Sequence, residues 1–149
     1  MGVFYRWLGE GLSLYVRQLA WLNTKPDSKA KDAPTRLEGM QKGGISPLLP
    51  PNPAPYLLEW LFDIGPSVST GMGEAMIGWR DIEAWQSING VEVQPWEART
   101  LRRLSRDFLN QQYEAKQPGC PAPYSLDEKQ VRDRVADQFK AMVGAMRKG

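Results

Sequence analysis

Cys120 and the carboxylate pairs Asp81/Glu83 and Asp127/Glu128 are the side chains best suited to covalent or acid–base work in this sequence. None has the setting that such work needs. Two carboxyls must face one another across a site, and helix neighbours one or two positions apart point in different directions. Cys120 lies in "PGCPAP" with no cation adjacent in sequence to stabilise a thiolate, so it reads as an inert thiol in a stiff loop. Histidine is absent. The usual base near neutral pH is therefore missing, and so is the nitrogen donor of most zinc, copper and non-haem iron sites; a single cysteine supplies no thiolate cluster instead. The serines have neither a histidine nor a nucleophile elbow. "GMG" (71–73) lacks the P-loop lysine and the strand–glycine–helix setting of a dinucleotide site. The expectation is a protein that is not an enzyme and holds no metal or cofactor.

The apolar residues are arranged in helical periods. At about 100° per residue, Phe4, Leu8, Leu12, Tyr15, Leu19 and Leu22 share one arc of a first helix over 1–22, with Trp7, Leu14 and Trp21 on its flank and Arg6, Glu10, Ser13 and Arg17 opposite. The arc covers about half the circumference, more than a surface helix needs, so this helix is either central to the core or buried against a partner. Residues 23–52 are rich in Pro, Gly, Lys and Ser and lack a period, which predicts an extended linker. Within it, "TRLE" (35–38) has the spacing of a capping box and predicts a single helical turn. "PLLPPNPAP" predicts a stiff spacer, with a polyproline ligand for an aromatic groove as the alternative.

Residues 53–116 read as a helical core domain. Pro55 opens "PYLLEWLFDIG", and Gly65-Pro66 stops it. A glycine-rich loop follows. "WRDIEAWQSING" then turns Trp79, Ile82, Trp85 and Ile88 inward and ends at Asn89-Gly90 as a left-handed cap. Pro95 opens the next helix with Glu97 at its positive end, and Trp96, Leu101, Leu104, Phe108 and Leu109 lie opposite Arg99, Arg102, Arg103 and Arg106. Residues 117–149 are a loop and a last amphipathic helix, opened by a capping box from Ser125 to Glu128 and striped with Val131, Val135, Phe139, Met142, Val143 and Met146. The fold class expected is all-α: about four to five helices with a long proline/glycine-rich linker after the first.

Net charge is +2, too small to imply a nucleic-acid partner. Its distribution is uneven: residues 56–93 hold one cation against six anions, and residues 94–149 eleven cations against seven anions. An acidic and a basic half suit protein partners or self-association better than a phosphate track; solvated helix faces are the bland alternative. "NGVEVQPWEARTLRRL" (89–104) poses the DNA question, since a recognition helix could start there. The connection is longer than a helix-turn-helix allows, and Pro95 and Trp96 stand where exposed polar residues should reach bases. The opening stretch, with glutamate and arginine inside its apolar run, predicts neither a cleaved signal nor a membrane span, hence no membrane partner and a cytoplasmic location.

The stretch from Pro53 to Tyr113 resembles the tail assembly chaperones (minor tail assembly proteins) of long-tailed bacteriophages. The resemblance rests on "PAPYLLEWLFDIG", a glycine-rich loop, and "WRDIEAWQSINGVEVQPWEARTLRRLSRDFL", in which Trp60, Trp79, Ile82, Trp85, Gly90, Pro95, Glu97, Leu101, Leu104 and Phe108 fit the family's pattern. Ser105 departs from it, standing where an aspartate is expected. The aromatic first helix and its long arm lie outside the pattern and leave room for a structural or tail-completion role. The resemblance implies no catalysis. It implies a partner, the tape measure protein, which such chaperones keep soluble in the host cytoplasm until tail tube subunits polymerise around it. Phe4, Trp7, Leu14 and Trp21, or Phe139, Met142 and Met146, would then be the contact surface, and Trp60, Trp79, Ile82, Trp85, Trp96, Leu101, Leu104 and Phe108 the core. A virion component and, less favoured, a helix-turn-helix DNA-binding protein remain as alternatives.

Overall fold

The computed structural model describes residues 2–26, 30–126 and 128–148. In chain order its elements are α1 (Gly2–Leu22), α2 (Arg36–Lys42), α3 (Pro55–Ile64), a hairpin of β1 (Val68–Thr70) and β2 (Gly73–Ala75), α4 (Trp79–Asn89), α5 (Pro95–Ala115) and α6 (Glu128–Arg147). The protein is mostly helical. The described residues form six helices where four to five were expected, and they include a small sheet.

α5 is the central element, and its principal contact is with α1. Leu101, Leu104 and Ser105 on α5 and Leu12, Val16 and Ala20 on α1 are fully buried. Each buried leucine contributes roughly 1.5–3 kcal/mol relative to leaving it in water. The face of α1 turned to α5 is rotated from the expected arc towards Gly9 and Ser13. A Cβ at Gly9 would stand 2.7 Å from Arg103 Nη1, and Ser13, expected on the polar side, is buried and donates its hydroxyl to Asp107 Oδ2 at 2.7 Å. Small side chains at these positions let the two helix axes come close. Asp107 also pairs with Arg103 and Arg106 at 3.6 and 3.3 Å, so its charge is not left bare beside the seam.

The opposite flank of α1 is covered by the proline-rich arm. Gln18, buried on α1, donates from Nε2 to Leu48 O at 2.9 Å and accepts at Oε1 from Tyr124 N at 3.0 Å. One side-chain amide thus holds both the arm and the loop before α6. A Cβ at Gly11 would lie 3.1 Å from Pro53 Cγ, so the glycine is what admits the proline. Among the described residues, the extended linker expected over 23–52 is laid on α1 at Leu48, Pro50 and Pro51. It contains the two-turn α2, whose capping box forms: Glu38 N donates to Thr35 Oγ1 at 3.1 Å and Thr35 N to Glu38 Oε2 at 3.4 Å. The single core spans Leu8, Leu12, Val16 and Ala20 together with Leu57, Leu61, Ile77, Leu101 and Leu104, so boundaries at 22 and 53 cut through one packed unit. α1 is wide in its apolar arc because it is packed on two sides.

The glycine-rich loop is a hairpin. Val68 pairs with Ala75, Ser69 with Glu74 and Thr70 with Gly73. Ser67 and Ser69 donate to the Glu74 carboxylate at 2.7 and 2.6 Å, which holds that carboxyl below its usual range. A fixed anion here is the reverse of a phosphate cradle. Ser105 Oγ ties the hairpin down: it donates to Pro66 O at 2.7 Å and accepts from Ile77 N at 2.9 Å.

α4 ends as expected at Gly90, whose φ of 63° and ψ of 29° lie in the left-handed region that a residue with a Cβ adopts only under strain, and α5 starts at Pro95 with Gln94 N donating to Glu97 Oε1 at 2.8 Å. Glu97 is buried, and its other oxygen accepts from the Tyr56 hydroxyl at 2.7 Å. Tyr56 is 38% exposed, and partial desolvation of its hydroxyl, then this bond to a carboxylate, raise the phenol above the ordinary tyrosine value. The folded state thus binds the phenolic proton more tightly than the unfolded chain, so this contribution to stability is complete below about pH 10 and falls as pH rises beyond it. Difference absorbance at 295 nm, wild type minus Tyr56→Phe, is expected to show an ionisation far to the alkaline side of a free tyrosine, and Glu97→Gln should draw it back.

α6 stands apart. Of its stripe, only Val143 is half-buried; Val131, Val135, Phe139, Met142 and Met146 are exposed, and α6 forms no substantial contact with another element. The capping box expected from Ser125 to Glu128 lies partly outside the described residues. Most of a helix's stability in a folded protein comes from packing its apolar face, and α6 has little of that packing. Its amides should exchange with deuterium about as fast as a frayed peptide's, while those of α5 are protected by the global stability of the fold.

Candidate partner-binding site

The first exposed apolar surface is the open end of α1. Phe4 and Trp7 are 57% and 61% exposed. Phe4 meets Tyr5 edge-on at 5.6 Å and Trp7 at 6.3 Å, and Tyr5 lies 4.9 Å from the Trp96 ring. Trp7 and Leu14 also line a small, mostly apolar cleft of about 200 Å³ with Gly11, Pro50, Pro51 and Pro53. The aromatic groove that "PLLPPNPAP" could have sought elsewhere is on its own α1. Phe4, Trp7 and Leu14 are therefore brought to one region. Trp21 is not among them: it is half-buried some four turns along the helix, donates from Nε1 to Cys120 O at 2.9 Å, and is covered by the Arg36 guanidinium at 4.7 Å. Tyr5 and the arm's prolines are additions that periodicity missed, although the aromatic density of 4–7 was a signal.

The second surface is α6, where Phe139, Met142 and Met146 lie on one exposed stripe, with Phe139 62% exposed. The residues expected in the core divide. Ile82, Leu101, Leu104 and Phe108 are buried, and Trp60 and Trp96 pack partly buried against them. Trp85 is half-buried, 5.3 Å from Trp60, and its Nε1 donates to Asp63 Oδ2 at 2.6 Å. Trp79 is not core. As the first residue of α4 its side chain reaches back beyond the helix start, where it is 53% exposed beneath the Arg102 guanidinium at 4.4 Å.

The arginines of α5 are largely occupied. Arg102 covers Trp79 and donates to Ile77 O, and Arg103 and Arg106 face Asp107. Among the described residues, Arg99 alone of the four has no hydrogen-bond, ion-pair or ring partner. A face built for phosphates would hold such cations free. No group of three or more His, Cys, Asp or Glu among the described residues could hold a metal ion, and no described helix is long and apolar enough to cross a membrane. No family model, curated protein or solved structure matches the chain. The arrangement itself offers contact chemistry: one anchored aromatic cluster, and one amphipathic helix that forms no substantial contact with another described element.

Proposed function

We propose that this protein is a non-catalytic tail assembly chaperone of a long-tailed phage, covering the tape measure protein in the host cytoplasm until tail tube subunits replace it. The observation that carries the reading is the exposed stripe of α6, to which the aromatic end of α1 adds a second apolar patch. Contiguous apolar surface on a small protein marks a contact site. A long helical client with an apolar face needs temporary cover, and an amphipathic helix supplies it by laying its stripe along the client. Methionines at 142 and 146 suit a surface that must fit successive stretches of one long partner. The resemblance from Pro53 to Tyr113 supplies the assembly context.

Co-expression tests it. With this protein the tape measure protein is expected in the soluble fraction and in complex; alone it should aggregate. Mass spectrometry of purified particles should find the chain absent. Its presence at fixed stoichiometry would make it a structural tail or tail-completion component. Steeply salt-dependent binding to duplex DNA would point to a DNA-binding protein.

A further inference from the structure

We infer that residues 46–53 are a releasable strap: they cover an apolar stripe of α1 and lift from it as a unit while the rest of the fold stays closed. At about 100° per residue, Phe4, Trp7, Gly11, Leu14 and Gln18 fall within roughly 80° of one another. That stripe lies on the side of α1 away from Leu12, Val16 and Ala20, which are buried in the core. Its start is open, with Phe4 and Trp7 each more than half exposed. The rest is covered by the arm, which runs antiparallel to the helix. Leu48 O meets Gln18 Nε2 at 2.9 Å, Pro50 and Pro51 share a cleft with Leu14, and Pro53 Cγ stands 3.1 Å from the position of a Cβ at Gly11. The cover of this face is thus the chain itself, and it ends where the exposed aromatics begin.

The strap is weakly held and firmly flanked. Among the described residues, the Gln18–Leu48 hydrogen bond is the one such bond that ties 46–53 to another element. Prolines at 47, 50, 51 and 53 have no N–H, so lifting the segment breaks no backbone ladder, and their fixed φ makes it a stiff bar. Within 46–53, Pro50 alone is buried. The cleft of about 200 Å³ left between Trp7, Leu14 and the prolines marks loose packing. The flanks differ. Before the strap, Arg36 bonds to Trp21 O and Gln117 O; after it, Ala54, Leu57 and Leu58 are buried in the core. Gly44, at φ 71° with nothing within 4 Å of the position of a Cβ, supplies a hinge at the first end. Gln18 is the latch. Opening exposes its Nε2 to water, while its Oε1 still accepts from Tyr124 N at 3.0 Å, so no buried group is left unpaired. An opening that costs one hydrogen bond and the burial of one proline lies well below global unfolding. With the strap up, the aromatic patch becomes a stripe of about 21 Å, four helical turns, enough to take a helix face. The opening does not depend on the chaperone reading; its use by the tape measure protein does.

Two variants test it, both with Cys120→Ser so that no other thiol reacts. Pro50→Cys is labelled with a disulfide reagent in the full chain across low urea concentrations. The rate is expected to rise only weakly with urea, the mark of a small opening. Adding Gln18→Glu, which keeps the acceptor for Tyr124 N and deletes the donor to Leu48 O, should raise it about tenfold. Gly11→Cys/Pro53→Cys should lock the strap: Pro53 Cβ is one bond from the Cγ that stands 3.1 Å from the Gly11 Cβ position, near the usual disulfide separation of about 3.5–4.5 Å. The oxidised protein is expected to bind less bis-ANS than the same protein reduced. Labelling with the urea slope of global unfolding, labelling unmoved by Gln18→Glu, or equal dye binding by the oxidised and reduced forms overturns the inference. If labelling and dye binding follow expectation while neither form keeps the tape measure protein soluble, the chaperone reading falls and the strap stands. If both forms keep it soluble while labelling tracks global unfolding, the chaperone reading stands and the strap falls.

Discussion

Replacing Ser105 with alanine is expected to cost about 2–4 kcal/mol, the larger part from a buried N–H left without an acceptor. Ser105 is fully buried on α5, and its hydroxyl works in both directions, donating to Pro66 O and accepting from Ile77 N. These two backbone groups bracket the hairpin, so one side chain anchors both ends of the β1–β2 excursion to the central helix. Ile77 is itself fully buried, and water cannot reach its N–H to replace the lost partner. Pro66 is only half-buried, and its carbonyl can be rehydrated at smaller cost. Against a typical domain stability of about 5–15 kcal/mol the loss is a large fraction. In urea unfolding the midpoint should fall while the slope stays unchanged. Aspartate, the residue expected at this position from the resemblance, should do no better than alanine. A carboxylate can accept from Ile77 N but has no proton to give Pro66 O, and its charge would be buried. A Ser105→Asp protein as stable as wild type would show that the hydroxyl is not the anchor.

What the sequence made legible follows from which features are local. Gly90 and Pro95 bound their helices because the constraint lies in the residue itself, a left-handed turn in one case and a fixed φ in the other. Ile82, Leu101, Leu104 and Phe108 are large, apolar and in period, and they are buried. The failures are of another kind. Strands of three residues carry no readable alternation, and the hairpin depends on serine–glutamate bonds rather than an apolar pattern. Gln18 and Ser13 are polar, so periodicity turns them outward, yet each has a partner distant in sequence that only the assembled fold supplies. Gly9 and Gly11 count for little on a hydropathy scale but set how closely α5 and the arm approach α1. For α6 the stripe was legible, and its lack of cover was not. A hydrophobic pattern reports that a face seeks burial, without saying whether the same chain provides it.

Trp7 and Trp21 should separate cleanly on mutation, although a seven-residue repeat puts them on the same flank of α1. Trp7→Ser is expected to change stability by only about 0.5 kcal/mol, because the ring is mostly in water, touches only Phe4 and the edge of the proline cleft, and makes no hydrogen bond among the described residues. Under the proposed chaperone function, its effect should appear as weaker capture of the tape measure protein. Trp21→Ala should cost about 2–3 kcal/mol, the sum of a lost hydrogen bond, a lost cation–π contact and a half-buried ring. The loss should also be structural at a distance. Arg36, which lies over the Trp21 ring, donates to Trp21 O at 3.2 Å and to Gln117 O at 3.0 Å, so it joins the start of α2 to the loop after α5. Trp21 Nε1 holds the same loop through Cys120 O. Without the indole both attachments loosen, and the Cys120 thiol should react faster with a disulfide reagent. Trp21→Phe divides the two contributions: it keeps a ring beneath Arg36 and deletes the donor to Cys120. Intermediate stability with fast thiol labelling would assign the loop to the hydrogen bond, and slow labelling would assign it to the stacked arginine. If instead Trp21→Ala left stability and labelling unchanged and reduced only tape measure capture, the two tryptophans would share one contact surface, as their spacing first suggested.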